Sequence, residues 1–182
     1  MVFVRLSLVN YFHDKIIKYC SRTFSDIHQM SETLIKNWNS VVSKEDKVYF
    51  LGDFSFGGID RSKEVFERLN GEIHSVKGNH DGSASRLLKI GFESVSDFLY
   101  LEENIYLCHF YNSGDVRGKE HIKVFLNQIP NNGLLLHGHS HFDPENKIRK
   151  ARYWNYDVGV DANSYFPVEL ETIKKEIENY GK

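Results

Sequence analysis

"KVYFLGDFSFGG", residues Lys47 to Gly58, opens on a short apolar run and breaks after Leu51 into a loop of glycines around Asp53. An apolar run cut off by glycine reads as a strand with a loop at its C-terminal end. The same event recurs downstream, where Ile73 to Val76 predicts a strand and "KGNHDGSAS" a polar loop. Arg61 to Leu69, between them, reads as a helix. Beta, loop and alpha in repetition is the pattern of an α/β protein, whose ligands sit on loops beyond the strand C-termini.

Working outward, Val2 to Val9 is mostly β-branched and apolar, which suits a buried first strand. A short helix is expected from Asp14 to Cys20. Ser25 or Asp26 then caps a longer helix, in which Ile27, Met30, Leu34, Trp38 and Val41 recur at helical spacing. Toward the C-terminus, "FESVSDFLYLEENIYLCHF" reads as two strands joined at Glu102, Glu103 and Asn104. Gly118 to Gln128 reads as helix, and "GLLLHGHSHFD" as a buried strand running into a histidine-rich loop. "ARYWNYDVGVDANSYFPVELETI" supplies two further strands, with a helix to end the chain. No linker, repeat or low-complexity segment divides the sequence, so residues 1–182 are expected to form one domain.

Composition narrows the function. A net charge of -2 argues against broad capture of nucleic acid. No segment approaches the ~20 apolar residues of a membrane span, and the N-terminal apolar run, broken by Arg5, lacks a cleavable small-residue pattern. Two cysteines, Cys20 and Cys108, are too few for a disulfide framework and suit reduced thiols in a cytoplasm.

Four short motifs each follow an expected strand: Gly52-Asp53, Gly78-Asn79-His80-Asp81, His109, and "HGHSH" from His137 to His141. Asp53 alone reads as readily as a turn or cap residue. His109 alone reads as an ordinary hydrogen-bonded histidine. The three histidines at alternate positions point one way if their backbone is extended, and imidazole is the commonest neutral metal donor.

Together and in this order the motifs resemble the calcineurin-like metallophosphoesterase family. The closest resemblance is to a small bacterial or phage branch that also carries an Arg-x-Phe step, here Arg22-Thr23-Phe24, and a "NWNSVV" helix end, here Asn37 to Val42. The resemblance implies a four-layer α/β/β/α sandwich. It also implies two divalent metal ions bridged by one aspartate, here Asp53. Asn79, His109 and His139 complete one site, and His141 belongs to the other. Carboxylate, amide oxygen and imidazole together suit Mn, Fe, Zn or Ni. His137 is expected behind the ligands. Hydrolysis in the family proceeds by attack of metal-bound hydroxide on phosphorus. His80 would then stabilise the transition state or protonate the leaving oxygen, with Asp81 orienting its imidazole.

One motif departs from the family. Its Asp-x-His after the first strand falls on Leu8 and Asn10 when "HDKIIKYC" is aligned without a gap. Leu8 cannot coordinate a metal, and the amide oxygen of Asn10 is a weak replacement for imidazole. The expectations are a mononuclear or weakly dinuclear phosphoesterase, a one-metal pseudoenzyme acting as a binding module, or an altered N-terminal sequence. The first is favoured because every downstream catalytic position is kept.

The expected substrate is a small phosphodiester or phosphomonoester, nucleotides included. "NKIRKARYW" offers Arg149 and Arg152 beside two aromatics, either as a phosphate-gripping rim or as a solvated hairpin. Arg22 points into the cleft or serves as a surface salt-bridge partner, and Asp161 is expected to support the metal loops. The sequence leaves the oligomeric state open.

Overall fold

The computed structural model describes residues 3–180. Along the chain the elements are β1 (Val4–Ser7), α1 (Asp14–Tyr19), α2 (Ile27–Val41), β2 (Lys47–Phe50), α3 (Ile59–Phe66), β3 (Glu72–Val76), α4 (Ala84–Ile90), β4 (Ser94–Ser96), β5 (Phe98–Glu102), β6 (Ile105–Cys108), α5 (Glu120–Gln128), β7 (Leu134–His137), β8 (Ile148–Lys150), β9 (Trp154–Asp157), β10 (Val168–Glu169) and α6 (Leu170–Asn179). They build two five-stranded sheets, ordered β10-β1-β2-β3-β4 and β5-β6-β7-β9-β8. In the first, β1 to β4 are parallel and β10 is antiparallel to β1; in the second, β6, β7 and β9 are parallel between antiparallel edges. Ser7 pairs with Phe50 and Phe50 with Ser75, so the loops leaving β1, β2 and β3 start level with one another.

Side-chain alternation sorts the chain into layers. Val48 and Phe50 of β2 and Ile73 of β3 pack with Met30, Leu34 and Trp38 of α2, Val65 of α3 and Leu87 of α4. Leu6, Leu51 and Val76 instead meet Leu107, Leu136 and Tyr156 of the second sheet. On the far side, Cys108 and Leu135 pack with Ile122, Phe125 and Leu126 of α5. The order is helices, sheet, sheet, helix, as the family resemblance implies. Each fully buried large apolar side chain contributes roughly 1.5–3 kcal/mol. Asp26 starts α2: its Oδ1 accepts the N–H groups of His28 and Gln29 at 2.9 and 2.8 Å, replacing bonds the first turn cannot make within the helix.

Four local expectations are corrected. The segment from Phe92 to Phe110 forms three strands, because the chain leaves the first sheet after Ser96 and enters the second at Phe98. Helix α4 begins inside the stretch read as loop and continues through residues to which the sequence assigns no element, and Ser83 Oγ caps it by accepting the Arg86 N–H. The two strands expected in residues 151–173 are β9 and β10, joined through a 3-10 turn at Val160–Asn163, but β8 is an additional, unexpected edge strand. The "HGHSH" loop is not extended, since His139 and His141 have φ of 62° and 48°. Val2, the expected start of the first strand, lies outside the described residues. Among those described, no helix is long and apolar enough to cross a membrane.

Candidate metal centre

The loops after β2, β3 and β6 meet with almost no space between their backbones. At Gly52 (φ 89°) a Cβ would stand 2.5 Å from His109 Nδ1 and 2.6 Å from the Gly78 nitrogen; at Gly78 it would overlap Asp53. Only glycine fits at either position. Asp81 then fastens the junction. Its Oδ2 accepts the N–H groups of Asp53 and Gly78 at 2.8 and 2.7 Å, and its Oδ1 accepts that of Phe54 at 2.8 Å. The expected partnership of Asp81 with the His80 ring is therefore corrected: the carboxylate is occupied by three backbone donors. Asp53 is held in the left-handed region at φ 54°, an arrangement that concentrates at functional sites. Its Oδ1 accepts the His80 N–H at 2.8 Å.

His109 is fully buried, and its protonation pattern follows from its partners. Nδ1 lies 2.8 Å from the Leu51 carbonyl, which can only accept, so Nδ1 carries the proton. Burial pushes the imidazole down to about 3, so the ring is neutral and Nε2 presents a lone pair. Around that lone pair stand Asn79 Oδ1 at 2.9 Å, His139 Nδ1 at 3.0 Å and Asp53 Oδ2 at 3.4 Å. Burial also raises the Asp53 carboxyl and lowers His139. Donor atoms of Asp53, His109 and His139 lie within 4.8 Å of one another. Among the described residues no lysine or arginine forms an ion pair with Asp53. A buried carboxylate facing neutral imidazoles and an amide oxygen is a donor set that fits a divalent ion.

A second cluster lies on the loop after β7. His141 Nδ1 is 2.7 Å from Asp161 Oδ2, and Cys20 joins them with donor atoms within 4.8 Å. Burial opposes charge on His141, but the hydrogen bond and negative charge of Asp161, helped by the adjoining Cys20, overcome it and raise the imidazole to about 9. Asn10, at φ 67°, is buried with an Oδ1 that meets no donor. Leu8 is fully buried and faces Gly138, where its side chain takes the space a Cβ would need.

The profile of the calcineurin-like phosphoesterase superfamily domain matches residues 22–156. The chain belongs to the calcineurin-like phosphoesterase superfamily. It is 33% identical over 178 residues to an uncharacterized protein of Methanocaldococcus jannaschii, spanning 95% of this chain and 89% of that protein. The Gene 66 protein of Mycobacterium phage L5 is 29% identical over 160 residues, 75% of this chain and 76% of its own. A crystal structure of a protein of unknown function from Aquifex aeolicus superposes with a TM-score of 0.74 at 23% identity, covering 96% of this chain and 99% of that one, which establishes the shared fold. Superfamily membership points to a metal-dependent phosphoesterase.

Not every residue expected at this phosphoesterase site reaches it. Arg22 is buried and paired: its Nε and Nη2 donate to the two oxygens of Asp161 at 2.7 and 2.8 Å, and Nη1 donates to the Val9 carbonyl at 3.2 Å. It has no free donor fork for a substrate. Arg152 donates to the carbonyls of Leu126, Asn127 and Ile129, closing the C-terminal end of α5. Arg149 stacks over Phe142 at 3.8 Å and donates to the Asn146 carbonyl. His137 is buried between Tyr111 and Phe142, away from the other two histidines of its motif.

His13 and Phe56 were not singled out from the sequence. His13 packs edge-on to Phe56 at 4.1 Å, and Phe56 in turn faces the His80 ring at 4.9 Å. Burial, and then the positive charges of His80, His141 and Arg22, lower the His13 imidazole. The signal available was the position of His13 between a first-motif stretch and a helix start, too weak alone to mark a site.

Proposed function

We propose that the chain hydrolyses a small phosphate ester with one divalent ion held by Asp53, Asn79, His109 and His139. A second, weaker ion would use Asp53, His141 and Asn10. The observation that carries this reading is the Nε2 of His109: its other nitrogen is committed to Leu51, so Nε2 holds a lone pair, and that lone pair converges with those of a buried carboxylate, an amide oxygen and a second imidazole, all of which a cation would bind. A divalent ion there supplies Lewis-acid polarisation of a phosphoryl oxygen and acidifies a water molecule. His80 is fixed through its backbone N–H to Asp53, which anchors its exposed imidazole beside the same ligand set. From there it protonates the leaving oxygen. Asp81 contributes by locking the loops on which Asp53 and His80 ride. Mn, Fe, Zn and Ni all accept these donors.

Hydrolysis of bis(p-nitrophenyl) phosphate with added Mn tests the proposal. Activity that depends on metal, disappears in Asp53→Asn and drops at least a hundredfold in His80→Ala is expected, His80→Ala keeping its thermal transition. Metal-independent turnover, or a fully active His80→Ala, would overturn it. Leu8 favours a second reading, because its buried side chain stands where the family places a ligand: a one-metal module that binds a phosphate ester without turnover. Stoichiometric metal and phosphate binding without hydrolysis under any metal would select that reading.

A further inference from the structure

Beside Asn79 and His139 opens a cleft of about 350 Å³, lined as well by Phe110, Asp115, Arg117 and Lys119. It adjoins the proposed ligand set directly. The Phe110 ring lies 5.1 Å from that of His139 and 5.7 Å from the Lys119 ammonium, so a single aromatic ring stands between the two. Neither cation forms an ion pair among the described residues: Asp115, the carboxylate in the lining, instead accepts from Asn112 Nδ2 at 2.9 Å, and Glu120 pairs with Lys123 at 2.8 Å. Lys119 is also the N-cap residue of α5, where no side chain makes a capping hydrogen bond and Glu120 stands in the first turn.

A planar guanidinium and an ammonium are each suited to phosphate, and here they share one cleft next to a proposed metal centre. A single phosphoryl group would sit on the ion. Two cations without ion-pair partners among the described residues, farther along the same cleft, call for a second one. We propose that this cleft is a second anion subsite and that the substrate is a phosphoester carrying another phosphate on one ester arm. The proposal rests on the phosphoesterase reading for the position of the reacting phosphate. Recognition by two placed cations is compatible with the net charge of -2 of the whole chain, which gives no broad attraction for polyanions.

Isothermal titration of the Mn-loaded protein with thymidine 3′,5′-bisphosphate and with thymidine 3′-monophosphate tests it, since the two differ only in the remote phosphate. The bisphosphate is expected to bind at least about tenfold more tightly. Arg117→Ala combined with Lys119→Ala should bring the ratio close to one, with an unchanged circular dichroism spectrum. Equal affinities in the unsubstituted protein, no measurable binding of either ligand, or a preference that survives the double substitution would overturn the proposal. Turnover of the aryl diester is a separate readout: its absence beside a cation-dependent bisphosphate preference would sink the hydrolase reading and leave the subsite standing.

Discussion

Asp161 accepts the Nδ1–H of His141 at 2.7 Å on the same carboxylate whose two oxygens receive the Arg22 guanidinium at 2.7 and 2.8 Å. One carboxylate thereby fixes the loop after β7 to the segment after α1. Against the effect of burial, the hydrogen bonds from His141 and Arg22 hold the Asp161 carboxyl below its ordinary range.

The His141 imidazole, raised from 6.5 to about 9, makes the fold pH-sensitive in the absence of metal. The folded state holds this proton more tightly than the unfolded chain. The stabilisation is therefore complete below about pH 6.5 and is lost as pH rises through about 9. Thermal denaturation of metal-free protein should show Tm falling by several degrees between those values. Asp161→Asn removes the charge that does most to sustain the proton, Cys20 being the other contributor, so the raising of the His141 imidazole should be largely undone. An NMR titration of the imidazole should record that fall, and a Tm profile equally steep in Asp161→Asn would refute the assignment.

Arg22 is a structural ion-pair member, so its replacement should be read in stability. Arg22→Ala leaves Asp161 buried with only His141, and breaking one side of a buried pair costs about 3–5 kcal/mol. Urea unfolding is expected to show that loss, with the KM for an aryl phosphodiester unchanged. An unaltered unfolding midpoint together with a raised KM would return Arg22 to the substrate.

What the sequence made legible was repetition: apolar strands ending in glycine and a chemically distinctive residue, seen at Asp53, Asn79 and His139. Strand periodicity and capping chemistry depend on near neighbours, so α2, with Asp26 at its head, was readable in advance. The exit of the chain from one sheet to the other between Ser96 and Phe98 was not, because a crossover leaves no periodicity of its own. Long-range partners were equally hidden. Arg22 and Asp161 are separated by 139 positions, and nothing local distinguishes a buried arginine from one facing a substrate. "HGHSH" misled for the opposite reason: alternation implies a shared face only in extended backbone, and the positive φ of His139 and His141 sends the three rings to different partners.

Asp81 should behave as a brace. Substituting Asn puts an NH2 group against one of the N–H donors of Asp53, Phe54 and Gly78, leaving at least one buried amide without an acceptor at a cost of about 1–3 kcal/mol. The ligand loops then shift, and metal affinity is expected to fall roughly 10–100-fold, as when the support of a ligand is removed. At saturating metal kcat should recover to near its original value. A kcat loss that excess metal does not repair would instead place Asp81 in the proton-transfer chemistry.

The stretch after β1 supplies the sharpest test, because its two departures sit in different environments. Leu8 is fully buried against Gly138, whereas Asn10 keeps a buried Oδ1 without a donor. Leu8→Asp with Asn10→His places a carboxylate where an alkyl group packed, and an unpaired buried charge is strongly unfavourable. Without metal the double variant should therefore melt well below the parent protein. A divalent ion offered by the new pair together with Asp53 and His141 neutralises that charge, and a ligand bound only by the folded state stabilises it. The expected result is a larger metal-induced rise in Tm than in the parent, a second ion per chain by elemental analysis, and faster hydrolysis of bis(p-nitrophenyl) phosphate. Leu8→Asp alone, lacking the imidazole, should show the metal-free destabilisation with a smaller rescue. If the double variant melts low and metal does not restore it, the loop after β1 is not directed at a second ion, and the site in this chain is built for one.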